Sequence, residues 1–203
     1  MSICNVYVDA DVALVVVDTA ALMTNPDGST VSLEAQKAMI HGDVLVATRG
    51  GMGIPSALHS LFLLHAKRWH TDEALKELPA MLDRAYQEQR CVFAEAGIDM
   101  PDSARTSEIV VVGWSKRLQR IKAVVATLEG SEWTIEEITA TSVAPAVEGV
   151  TRDEVAIIPG MQALAARQVA AFKAADPQAP IGGELVLYQV NRDGFLVKNL
   201  GAV

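Results

Sequence analysis

Six apolar residues in a row, Val12-Ala13-Leu14-Val15-Val16-Val17, leave this chain few folds to choose from. Their β-branched bulk favours a strand, and successive side chains of a strand point to opposite faces. A run without polar alternation must therefore be buried on both faces, so the sheet that holds it is covered twice. The preceding segment, Ser2 to Val8, is also rich in β-branched and aromatic residues, and Asp9-Ala10-Asp11 separates the two. Together they read as two short strands joined by a tight turn. Asp9, Asp11 and Asp18 interrupt the apolar stretch well before the roughly 20 residues a membrane-spanning helix needs. The start of the chain also lacks the basic segment and apolar run of a signal peptide, so no contact with a membrane is expected.

Past the turn signal Asn25-Pro26-Asp27-Gly28, a second strand pair is predicted at Ala35 to Ile40 and Val44 to Thr48, turning at His41-Gly42-Asp43 and ending at Arg49-Gly50-Gly51-Met52-Gly53. The period then changes. Leu58, Leu61, Phe62 and Leu64 follow helical spacing, which predicts an apolar helix from Ser56 to Trp69. A second helix starts near Thr71 with Leu75, Leu78, Leu82, Ala85 and Tyr86 on its apolar face and Gly97 near its end. Strands follow at Ile109 to Trp114, Ile121 to Leu128 and Trp133 to Thr139. An alanine-rich helix runs from beyond Pro159-Gly160 to about Ala175, and a final hairpin pairs Gly182 to Val190 with Phe195 to Leu200. Asp99 to Arg105 and Asp176 to Pro180 read as surface loops. Strands come in groups and do not alternate with helices, so the fold class is α+β without a parallel sheet. With no internal repeat and no long linker, residues 1–203 are expected to form a single domain.

Lys and Arg number 17 against 25 Asp and Glu, for a formal charge of -8, a sign that repels phosphate backbones. Nucleic acid is not an expected partner. Cys4 and Cys91 are too few for a disulfide framework and lack the paired spacing of a zinc site, which fits a reducing cytoplasm. His41, His59, His65 and His70 contain no pair at i, i+4, so they read as structural or surface residues and no metal is expected. Gly50-Gly51-Met52-Gly53 lacks the Lys-Ser/Thr pair of a phosphate loop, so no cofactor is expected. Cys4 reads as core packing, and Glu132, Glu136 and Glu137 as a solvated face.

Chemistry concentrates at the start of the chain. If Met1 is removed, Ser2 carries a hydroxyl and a free α-amine, whose ordinary pKa of about 7.7–8.0 leaves a useful neutral fraction to accept the hydroxyl proton. Nucleophile and base then share one residue, and a neighbouring ammonium favours the neutral amine. The plainer alternatives are a processed terminal residue at Ser2, a turn-bonding aspartate at Asp18 and a solvated charge at Lys37.

Ser2-Ile3-Cys4-Asn5-Val6-Tyr7-Val8, the turn, and Val12 through Asp18, with Asp18 sixteen positions after Ser2, resemble the proteasome β-subunit type of N-terminal nucleophile hydrolase and its short bacterial relatives such as the HslV peptidase. Lys37 stands where that family places its catalytic lysine. Val44-Leu45-Val46-Ala47-Thr48-Arg49-Gly50-Gly51 is similar to the strand leading to its oxyanion glycine. Thr141-Ser142-Val143-Ala144 falls near the family's serine-glycine turn, without the glycine. At Gly182-Gly183-Glu184-Leu185, Glu184 takes the place of an aspartate and Leu187 that of a serine.

The resemblance implies a four-layer αββα sandwich, two stacked antiparallel sheets covered by helices on both outer faces. It implies Ser2 as nucleophile, Lys37 as the charge favouring its neutral amine, Asp18 as the partner of Lys37, a Gly50 or Gly51 amide as oxyanion donor, and Glu184 in support. The implied function is hydrolysis of a peptide or amide bond through an acyl-enzyme. It carries with it a homo-oligomeric ring, a peptide substrate and an ATP-dependent unfoldase as candidate partner. A catalytically silent structural or assembly protein with the same fold is the alternative.

Overall fold

The computed structural model describes residues 2–24, 30–50, 53–64, 69–100 and 106–203. In chain order its first strands are β1 (Cys4–Val8), β2 (Val12–Asp18), β3 (Ala20–Thr24), β4 (Thr30–Glu34), β5 (Ala38–His41) and β6 (Val44–Gly50). Helices α1 (Gly53–Leu64) and α2 (Thr71–Glu95) follow, then strands β7 (Thr106–Ser115), β8 (Arg120–Glu129), β9 (Glu132–Glu137) and β10 (Thr141–Ala144). Helices α3 (Arg152–Val155) and α4 (Ile158–Ala175) and strands β11 (Glu184–Asn191) and β12 (Gly194–Ala202) complete the chain. The strand pairs are antiparallel, and the fold is α+β. Contacts divide the chain into two compact units, Met1–Lys37 with Thr139–Val203, and Ala38–Ile138.

In the first unit a five-stranded sheet has the order β10-β1-β2-β11-β12, and β3 with β4 forms a separate hairpin. The apolar run is the strand it was predicted to be, and β2 is buried continuously from Ala13 to Asp18. One row of the sheet, Ile3, Leu14, Val16, Leu185 and Leu187, packs against Val155 of α3 and against Met161, Leu164, Ala165 and Val169 of α4. The other row, Ala13, Val15 and Val17, is also buried. Burial on both faces is what a strand without alternation requires.

The second unit carries a five-stranded sheet in the order β5-β6-β7-β8-β9. Val44, Val46, Ile109, Val111, Ala126 and Leu128 form a cluster with Ile54, Leu58, Leu61 and Phe62 of α1 and Leu78, Leu82 and Ala85 of α2. Those helical residues recur at spacings of three, four and seven, so one stripe of each helix faces the sheet. Helix α2 starts after His70, which is extended, carries Asp72 and Glu73 in its first turn, and stops where Gly97 takes φ +67° and its N–H reaches the Ala94 carbonyl.

Several boundaries differ from expectation. The predicted strand Ala35 to Ile40 is shorter, because Ala35, Gln36 and Lys37 precede β5, with the Ala35 N–H bound to the Thr19 carbonyl just past β2 and Lys37 bound to Asp18 at its end. Helix α1 begins at Gly53, ahead of Ser56, and Trp69 lies outside it, its indole N–H donating to the Phe62 carbonyl at 3.1 Å. Pro159 falls in the first turn of α4, where a missing N–H breaks no helical bond. The hairpin β3–β4 and the short elements β10 and α3 were not anticipated. The Asn25 to Gly28 turn signal, Met52, His65 and 101–105 of the predicted loop lie outside the described residues. Among the described residues no helix is long and apolar enough to cross a membrane.

Candidate functional site

The site grows from the end of β2. Asp18 is fully buried and its carboxylate collects three donors from three other stretches of chain. The Ile3 N–H donates to Oδ1 at 2.8 Å, Lys37 Nζ donates to the same oxygen at 2.7 Å, and the Gly182 N–H donates to Oδ2 at 2.9 Å. Sheet register brings them together. Cys4 pairs with Val17 on one side of β2, which puts Ile3 beside Asp18, and Leu185 pairs with Asp18 on the other, which leaves Gly182 just outside the strand. Gly182 at φ +111° and Gly183 at φ +79° take a backbone conformation other residues resist, and a Cβ at Gly183 would lie 2.8 Å from Thr19 Oγ1. A buried carboxylate is tolerated when a charge partner and oriented N–H groups replace its water, and Asp18 has both.

Lys37 is 2% exposed, so it is not the solvated charge that a lone surface lysine would be. Burial pushes its ammonium below the usual lysine range, while the Asp18 charge, their hydrogen bond and the Cys4 thiol act in the opposite sense. The segment carrying it is tethered twice more. The Ala35 N–H donates to the Thr19 carbonyl at 2.8 Å, and Gln36 hydrogen-bonds the buried Tyr188 hydroxyl, which desolvation raises above its ordinary pKa. Ser2, 8% exposed, is next in sequence to Ile3, whose N–H is bound by the same Asp18 oxygen that holds Lys37. Ser2, Asp18 and Lys37 thus share one small region of the first unit. Cys4 is a buried thiol in that region.

Glu184 opens β11, and its backbone N–H donates to Thr19 Oγ1 while its carbonyl accepts from the Thr19 N–H, both at 3.0 Å. The contact to Asp18 from this segment comes from the Gly182 amide. Leu187 is fully buried in the row that faces α4. Thr141-Ser142-Val143-Ala144 is strand β10, paired with β1. Gly50 belongs to the second unit. It ends β6 at φ +100°, and a Cβ there would lie 2.6 Å from the Thr106 carbonyl, so close approach of β7 already demands glycine. Gly51 lies outside the described residues, as does Met1.

Sequence reasoning missed the Gly182 amide, the Gln36–Tyr188 tether and a buried histidine pair in the second unit. His41 Nε2 and His59 Nδ1 lie 2.7 Å apart, with His41 stacked on Phe62 at 4.8 Å and Phe62 edge-on to Trp69 at 5.2 Å. Burial, with His41 adding to it, pushes His59 down to about 4, and burial lowers His41 as well. His59 Nε2 is buried without a hydrogen-bond partner among the described residues. The pair joins β5 to α1, and comparing helical spacings does not reveal it. Among the described residues no group of three or more His, Cys, Asp or Glu is placed to hold a metal ion.

No protein-family model matches the chain, and no curated protein does. It is similar to the solved structure of an Anbu (Gly-1) mutant from Hyphomicrobium sp. strain MC1, with a TM-score of 0.60 and 13% sequence identity over 99% of this chain and 88% of that one. This corrects the resemblance to the proteasome β-subunit and HslV branch. The segments that carried it, Ser2 to Asp18, Lys37 and Val44 to Gly51, do not select a branch, and the likeness to the Anbu structure is at low identity. The likeness shows the fold alone, and that fold is proteasome-like.

Proposed function

We propose that this chain is an N-terminal serine hydrolase of peptide or amide bonds built on a proteasome-like fold. The observation that supports it most is the enclosed Lys37–Asp18 pair bound through one oxygen to the amide next to Ser2. With Met1 removed, the Ser2 α-amine accepts the proton of its own hydroxyl, and Oγ bonds to the substrate carbonyl carbon. The Lys37 charge favours the neutral amine, and Asp18 fixes Lys37. A Gly50 or Gly51 amide is the proposed oxyanion donor, and Glu184 has a supporting place through the Thr19 contact. The carbon–nitrogen bond then breaks, the leaving amine takes the proton from the α-ammonium, and water hydrolyses the ester on Ser2.

In this reading residues 1–203 form one domain whose two antiparallel sheets are the inner layers of a four-layer αββα sandwich. A fold likeness that runs over 99% of the chain in a single superposition supports it. The proposed setting is a cytoplasmic homo-oligomeric ring that admits peptide substrate, with an ATP-dependent unfoldase as partner.

A second reading, a catalytically silent structural or assembly protein, is favoured by the completeness of the Asp18 contacts. Three donors from separate segments stabilise the unit with no chemistry at all, and the buried Leu187 stands in the place of the supporting serine that the resemblance implies. Treatment with a β-lactone or peptide epoxyketone, followed by intact-mass and peptide mapping, separates the two. Hydrolysis predicts a single adduct on an N-terminal Ser2. Retention of Met1 in protein from its native host, or no adduct on a chain that begins at Ser2, supports the silent reading.

A further inference from the structure

Strand β1 contains a single amide side chain, Asn5, and it is fully buried. Asn5 Nδ2 donates to Gln168 Oε1 at 2.8 Å, and Gln168 Nε2 donates back to Asn5 Oδ1 at 3.0 Å. Gln168 Nε2 also donates to the Pro145 carbonyl at 2.7 Å, just after β10. Gln168 lies on α4 and is itself 0% exposed. Both hydrogens of its amide nitrogen are therefore engaged, one on β1 and one on the chain leaving β10, so the pair locks one helix to two neighbouring strand segments.

The apolar side chains of β1 specify its face and leave its register to other contacts. Cys4, Val6 and Val8 form one buried row, and Ile3, Asn5 and Tyr7 form the row facing α4. A slip of two residues keeps each row on its own face and only exchanges apolar side chains. The turn to β2 closes on one backbone bond, the Asp9 N–H donating to the Val12 carbonyl at 2.8 Å. None of its residues takes a positive φ, so a slip of two residues would forgo that bond and change the loop length without meeting a glycine-dependent geometry. The Ile3 N–H to Asp18 bond is a backbone contact that another residue could make after a slip. Asn5 is different, because moved by two residues it would leave the Gln168 Oε1 and one of its Nε2 hydrogens without their partners in the apolar layer.

We propose that the Asn5–Gln168 amide pair sets the register of β1 and thereby places Ser2 beside the Asp18–Lys37 pair, which makes Asn5 and Gln168 positioning residues for Ser2. The catalytic consequence rests on Ser2 being the nucleophile proposed above. The register does not depend on that reading. Buried amides elsewhere fix strand and helix register at some expense in stability, and here the register decides which residue occupies the reactive position.

The test replaces both partners with apolar residues of similar volume, Asn5→Leu together with Gln168→Leu, so that no lone amide stays buried. The readouts are thermal melting, hydrogen exchange at the Ile3 amide and adduct formation at Ser2. The expected result is a cooperative melt, Ile3 exchange faster by about tenfold or more, as loss of one buried hydrogen bond allows, and a parallel fall in Ser2 labelling. A double variant that melts cooperatively with wild-type Ile3 protection overturns the proposal. Should that variant fail to fold, the exchange Asn5→Gln with Gln168→Asn restores the reciprocal amides. Wild-type Ile3 protection in the exchanged protein supports register control, and a folded exchange with Ile3 unprotected overturns it. If wild-type protein takes no label while Ile3 responds as described, the hydrolase reading falls and the register assignment stands.

Discussion

Lys37 Nζ lies 2.7 Å from Asp18 Oδ1, and both side chains are enclosed. Removing one partner of such a pair leaves a buried charge uncompensated, which costs about 3–5 kcal/mol in typical cases. The two residues are not equivalent, because Asp18 also accepts the Ile3 and Gly182 amides. Asp18→Ala is therefore expected to destabilise more than Lys37→Met, by about 1–3 kcal/mol for the amides it orphans. Urea unfolding of the two variants checks the order, and equal or reversed losses would remove Asp18 from the centre of the network.

Much of this was legible in the residues, for identifiable reasons. The uninterrupted Val12 to Val17 run could only be a strand covered twice, and helices α1 and α2 show apolar spacing that nothing else explains. The meeting of Asp18 with Lys37 was legible only through spacing borrowed from a resemblance, and the burial of Lys37 was not, since lysine is seldom enclosed. The Gly182 donor is a backbone group, and no side chain announces it. Strand β10 has four residues and α3 has four, too few for either period to register. His41 and His59 are 18 positions apart on a strand and a helix, so only the tertiary fold brings them together.

That histidine pair makes stability fall on mild acidification. His59 is held at about 4 and His41 is lowered too, against an unfolded value near 6.5, so the unfolded chain binds more protons between those limits. The contribution is intact above pH 6.5 and is lost as pH drops toward 4. For His59 the full loss is on the order of 3 kcal/mol. Between pH 6.5 and 5, where most carboxylates stay ionised, the urea midpoint should decline in wild-type protein and change much less in His59→Gln. Identical slopes in both proteins would show that the pair is not responsible.

Two glycines should resist substitution for different neighbours. Gly183→Ala meets Thr19 Oγ1 at 2.8 Å with φ at +79°, and Gly50→Ala meets the Thr106 carbonyl at 2.6 Å with φ at +100°. Each is expected to lose about 1–3 kcal/mol. The paired change Gly183→Ala with Thr19→Ala removes the side-chain clash and should recover part of the loss, whereas no side-chain deletion relieves a backbone carbonyl at Gly50. Full tolerance of either alanine in thermal melts would contradict the close approach at that position.

The proposed ring makes a sharper demand on α1. Leu63 and Leu64, at its last turn, are 68% and 72% exposed, although the residues before them pack into the core of the second unit. Two adjacent large apolar side chains left in water are unfavourable for a monomer and fit a surface covered by another copy. Static light scattering at micromolar concentration should give a mass that is a multiple of 21.7 kDa. Leu63→Glu with Leu64→Glu adds two charges per subunit where desolvation would be required, so it should shift the mass to that of the single chain while melting stays cooperative. A wild-type mass of 21.7 kDa would eliminate the ring and leave an isolated hydrolase or a scaffold. A multiple that survives both glutamates would place the interface elsewhere on the subunit.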